Sequence, residues 1–182
     1  MKREAFILYL LLASTLVGCG GDKGSDEPSK STPTPPKTTA AIIDDLEKEG
    51  KLPVLDRTNS IVGVDSNSNG IRDDIDGYIS KSSYTGDQKK ALNQVSKGFQ
   101  SSLTVDITDM QAVKKVSKDI GKGIDCVFSK VGVDAVDKSA GKVVQELESL
   151  TTNTKARLLA YLKYNKALDG TSSALTEGDS CE

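Results

Sequence analysis

Between residues 63 and 81 the chain reads VGVDSNSNGIRDDIDGYIS. Oxygen-bearing side chains recur at alternate positions, Asp65, Asn67 and Asn69, and are followed by Gly70, Ile71, Asp73 and Asp76. Carboxylates and side-chain amides are hard oxygen donors, without the imidazoles and thiolates that softer metals prefer. A backbone that curls round a cation turns every second side chain inward, which explains the rhythm. Glycine at the sixth position permits the sharp turn, and the seventh offers its backbone carbonyl, so its side chain is free to be apolar. Asp73 and Asp76 close the shell from the first turn of a helix that buries Ile71, Ile75 and Ile79. In this reading Asp74 points outward. A flexible shell of about six to eight oxygens is the chemistry of calcium.

The pattern D-x-N-x-N-G-I-x-D-x-x-D resembles the loops of thrombospondin type 3 repeats and, more loosely, those of EF-hands and dockerins. The isoleucine at position seven, not eight, favours the first comparison. The resemblance covers residues 65–76 and occurs once. It implies metal ligands at Asp65, Asn67, Asn69, the Ile71 carbonyl, Asp73 and Asp76. The chain departs from an EF-hand in two ways: no helix is evident before Asp65, and the last ligand is Asp rather than the longer Glu. Two asparagines in place of acids imply an affinity toward the weak, extracellular end of the calcium range, and a structural ion.

Other chemistry is harder to find. The chain contains no histidine, which excludes Ser-His-Asp and Cys-His catalysis and every His-ligated metal. Ser139 and Lys142 fit S-x-x-K, but the companion motifs are missing and the position is mid-helix. Glu146 and Glu148 lie two apart on a helix and diverge, so they do not pair as acid and base. No basic cluster interleaves with aromatics, so no nucleic-acid footprint is present. Of Tyr161 and Tyr164, the first is expected in the core and the second in edge packing.

The elements that must position the loop are helical. A first helix is expected over 40–49, capped by Thr39 and stopped by Gly50, with Ile42, Ile43 and Leu46 inward. Residues 51–64 read as an extended connection. Thr85 and Gln88 form a capping box for a helix to about Leu103, with Leu92, Val95 and Phe99 in its stripe. Thr108 and Gln111 repeat the box for a helix to about 130, whose seam is Val113, Val116, Ile120, Ile124, Val127 and Val131. Gly121 and Gly123 within it mark a kink or a close helix crossing. A helix near 134–150 carries Val136, Ala140, Val143, Leu147 and Leu150. The last, 154–168, carries Leu158, Tyr161, Leu162 and Leu168, and Gly170 stops it. The expected fold is all-α: a small bundle of four to five helices, one calcium loop and a disulfide-strapped C-terminal tail.

The ends of the chain carry the address. Lys2 and Arg3 precede an apolar run from Ala5 to Val17, a secretory signal too short to span a membrane as a mature helix. Leu16, Val17, Gly18 and Cys19 resemble the bacterial lipobox, which implies cleavage after Gly18 and lipid on Cys19. Gly20, not aspartate, follows the cysteine, so the default address is the outer membrane; a Gram-positive surface lipoprotein is the alternative. Removing residues 1–18 takes away Lys2, Arg3 and Glu4 and moves the formal charge from −2 to −3. The tether 19–39 holds four of the five prolines and no apolar residue run to bury. Residues 40–182 then form one helical domain.

Two cysteines remain. At about 100° per residue, Cys126 falls roughly 140° from the seam of its helix, an odd place for a cysteine unless something covers it. The tail that carries Cys181 can do so, and a disulfide is expected in an oxidising compartment.

These features fit a tethered, calcium-pinned module that binds another envelope or secreted protein as an accessory, inhibitor or immunity-type factor. A spacer lipoprotein without a dedicated partner is the alternative, and an envelope hydrolase a more distant one. The first reading expects an exposed apolar helix face.

Overall fold

Six helices run through residues 36–133, 139–172 and 178–182, the residues that the computed structural model describes, and no strand is found among them. The signal segment, Cys19 and nearly all of the tether lie outside the described residues, as does Val136. The helices are α1 (Thr39–Lys48), α2 (Asp73–Lys81), α3 (Gly86–Ser102), α4 (Met110–Val131), α5 (Ala140–Thr151) and α6 (Lys155–Ala167). The count exceeds the expected four to five because α2, though short, stands as a helix of its own. Residues Lys37–Glu182 form one compact unit.

The helix starts follow local hydrogen-bond chemistry. The Thr85–Gln88 box forms in both directions: Gln88 N–H donates to Thr85 Oγ1, and Thr85 N–H donates to Gln88 Oε1 at 2.9 Å. The second box does not form. Thr108 spends its hydroxyl and its N–H on Asp106 Oδ1, and Asp109 caps α4 by accepting from Gln111 and Ala112. At α1 the cap is Thr38, one residue earlier than expected.

The core centres on α3 and α4. Gly123 lies against α3 so closely that a Cβ there would come within 2.6 Å of Val95 Cα, while Gly98 meets Ile120 in the same way at 2.9 Å. Gly123 therefore marks the close crossing, and Gly121 faces open space. Ile71, Ile75 and Ile79 pack into this core with Leu92, Val95, Phe99, Val127, Val143 and Leu147. Cys126 is buried and bonded to Cys181, with the Cα atoms 5.0 Å apart. Gln94 holds the tail beside it by donating to the Ser180 carbonyl at 2.8 Å. A loop of 55 residues closed in this way is worth about 4 kcal/mol by the chain-entropy account.

Helix α6 corrects the expected stripe. Leu158 and Leu162 face solvent, and the inward residues are Arg157 and Tyr164. Tyr164, not Tyr161, is the more buried of the stacked tyrosine pair. Ile42 of α1 is likewise exposed, and α1 buries no residue fully.

Candidate metal centre

The loop is built on turns that its own side chains close. Asp65 accepts from the Asn69 N–H through Oδ1 at 3.1 Å and from the Gly70 N–H through Oδ2 at 2.9 Å. Asn67 Oδ1 accepts from the Asn69 N–H and Asn69 Oδ1 from the Ile71 N–H. Gly70 adopts φ +85°, the left-handed turn that the sixth position requires. Ser68, at φ +57°, is the one non-glycine residue with positive φ among the described residues. The Asp73 N–H donates to the Val64 carbonyl at 2.8 Å and fixes the loop's exit to its entrance.

Asp65, Asn67, Asn69 and Asp76 are drawn into one hydrogen-bonded group. The amides of Asn67 and Asn69 both donate to Asp76 Oδ2, at 3.2 and 2.7 Å. Asp76 sits in the first turn of α2 with Asp73 and Asp74, where the helix dipole favours negative charge. Asp73 is bonded to Ser66 of the same loop. Its two oxygens accept from the Ser66 N–H at 2.9 Å and the Ser66 hydroxyl at 2.6 Å, and these bonds hold its carboxyl below the usual range. Ile71 buries its side chain in the core, so the turn is anchored at its seventh position.

Among the described residues no group of three or more His, Cys, Asp and Glu side chains stands placed to hold a metal. The donor set here is different in kind: amide and carbonyl oxygens make up half of it. Its chemistry fits a hard cation and offers nothing to a soft one. When bound, calcium would supply charge neutralisation at the centre of the group, and Asp65, Asn67, Asn69, the Ile71 carbonyl, Asp73 and Asp76 would hold it.

Asp74 does not point outward. Its carboxylate takes a fork of bonds from Arg72, Nε to Oδ1 at 2.6 Å and Nη2 to Oδ2 at 3.0 Å, and accepts from the Asp56 N–H at 2.7 Å. The outward reading failed because Arg72, the eighth loop residue, is only 1 % exposed and draws its partner inward. The same guanidinium donates to the carbonyls of Leu150 and Thr151 at the C-terminus of α5, where a cation meets the negative end of the helix. The loop 65–76 is thereby joined to the α5–α6 corner.

A second buried arginine completes the corner. Arg157 donates to Asp56 through both carbonyl and carboxylate, to the Ile61 carbonyl and to Asn153. Burial and the neighbouring Arg72 pull its pKa below the usual value, and Asp56 opposes that shift. Residues 51–64 are thus strapped to the bundle, with Gln100 holding the Val62 carbonyl at 3.0 Å. Gly63, at φ +71°, has no room for a side chain, since a Cβ would overlap Arg72. Sequence reasoning missed this network because arginines are almost never fully buried unless paired. The available signal was an arginine placed directly between buried Ile71 and the acidic first turn of α2.

The two glutamates of α5 diverge as expected. Glu146 lies beside Tyr78 and Glu148 beside Tyr161; with burial as the main cause, they raise the Tyr78 phenol, and raise that of Tyr161 to about 12. No helix among the described residues is long and apolar enough to cross a membrane. No protein family, curated protein or solved structure matches the chain.

Proposed function

We propose that the chain is a calcium-binding lipoprotein of the bacterial outer membrane, anchored through Cys19, that acts as a non-catalytic protein-binding module. The observation that carries the binding role is the outer face of α6. Leu158, Leu159 and Leu162 are 44 %, 47 % and 51 % exposed there. Lys155, Lys163 and Lys166 flank them, and the helix has no acidic residue. Apolar anchors at i, i+1 and i+4 on one helix suit a groove on a partner. The hydrogen-bonded group at the loop and its hard donor set support calcium. The signal segment and lipobox pattern support the anchor.

The test is site-specific photocrosslinking from position 162 in the native host, compared with Leu158→Lys/Leu159→Lys. One discrete crosslinked protein, lost in the double variant while its melting temperature stays within about a degree, is the expected result. Surface substitutions of this kind change stability by no more than about 0.5 kcal/mol. A chain that crosslinks to nothing from this face would instead be a spacer.

A further inference from the structure

The loop offers an ion donors from six residues, Asp65, Asn67, Asn69, Ile71 through its carbonyl, Asp73 and Asp76. Calcium takes about six to eight oxygens, so the shell has room for a donor from outside the loop. Helix α3 meets the loop and the segment that leads into it. Gln100 binds the Val62 carbonyl, and a Cβ at Gly70 would lie 3.2 Å from Lys97 Cε. One turn further back stands Asn93. It lines one cavity together with Asn69 and Ile71 and a second together with Asn67, Asn69 and Asp76. Its Oδ1 is buried and accepts no hydrogen bond. A buried carbonyl oxygen without a partner is destabilising by about 1–3 kcal/mol, so such an atom calls for a missing partner.

On the reading that the loop binds calcium, we infer that Asn93 of α3 supplies an oxygen to the same ion from outside the loop, directly or through one water. The ion is then held by two elements, the loop and α3, with Asn93 adding one donor to the loop's own set. The consequence is mechanical: ion binding clamps the loop onto the α3–α4 core. Neutral Asn93 adds no charge to the shell, so Asn93→Asp is the informative gain-of-ligand variant.

The experiment is calorimetric titration of calcium chloride into the mature chain carrying Cys19→Ser, with Asn93, Asn93→Ala or Asn93→Asp. Melting temperatures are measured in calcium and in chelator. Asn93→Ala should weaken calcium on the order of tenfold, the scale of a lost supporting ligand. Asn93→Asp should tighten it, and Asn93→Ala should melt like the parent in chelator but below it in calcium. Affinities within twofold of the parent for both variants overturn the inference. So does an equal fall in melting temperature for Asn93→Ala in calcium and in chelator, which marks a packing role. If the parent itself takes up no calcium, the calcium reading falls, an outcome distinct from unchanged affinity.

Discussion

The loop 65–76 and α6 handle charge in opposite ways. The loop keeps Asp65, Asn67 and Asn69 near the surface and sends Ile71, Ile75 and Ile79 into the core. Helix α6 buries Arg157 completely and leaves Leu158, Leu159 and Leu162 in solvent. A buried guanidinium is tolerable when every N–H finds an oxygen, and both Arg72 and Arg157 meet carboxylates and backbone carbonyls. Such a network fixes which way a helix faces. It outranks the leucines of α6, each of which would gain only about 1.5–3 kcal/mol from full burial. The leucines are left for another surface.

The sharpest way to break this comparison is to remove one carboxylate. Asp74→Ala leaves the Arg72 guanidinium buried without its counter-ion, and should lower unfolding free energy by about 3–5 kcal/mol in urea with calcium in excess. A loss under about 0.5 kcal/mol would return Asp74 to the surface and dissolve the corner.

A smaller effect comes at alkaline pH. The Tyr161 phenol is raised to about 12 and Tyr78 is raised as well, chiefly by burial and then by Glu148 and Glu146. Below pH 10 both tyrosines are neutral in folded and unfolded chains. Above it the unfolded chain ionises first, so stability falls as pH rises from 10 toward 12. Thermal melts across that window should show the fall, and Tyr161→Phe should reduce it. An unchanged slope in Tyr161→Phe would mean that the phenol is not shielded.

Where the sequence was readable, the physics was local. The Thr85–Gln88 box needs only neighbours in the chain, and the isoleucines of α2 follow its period. Gly121 and Gly123 were readable together as a kink or a crossing, and the structure gives the crossing to Gly123, where only a missing side chain lets two backbones approach so closely. Cys126 was readable because its odd face needed a cover. The misreadings came from competition across the chain. Thr108 lost its capping role to Asp109 because Asp106 engaged it first. Leu158 and Leu162 formed a plausible stripe, but the inward face was chosen by Asp56, about a hundred residues away, through Arg157. No periodicity within α6 could carry that information. The alternating oxygen spacing of the loop was visible, whereas the bonds that Asp73 accepts from Ser66 depend on a neighbour that the pattern leaves unspecified.

We propose that the loop from Asp65 to Asp76 holds a calcium ion that stabilises the fold. Scanning calorimetry of the mature chain in chelator and in rising calcium tests it most directly. An ion that binds only the folded loop adds about 2.7 kcal/mol at a hundredfold excess over its Kd. The melting temperature should climb with calcium into the millimolar range and respond poorly to magnesium, which demands a tighter octahedral shell. The climb should be lost in Asp65→Ala and in Asp76→Ala. A melting temperature identical in chelator and in millimolar calcium would contradict it, and the loop would then be a set of polar turns closed by its own hydrogen bonds.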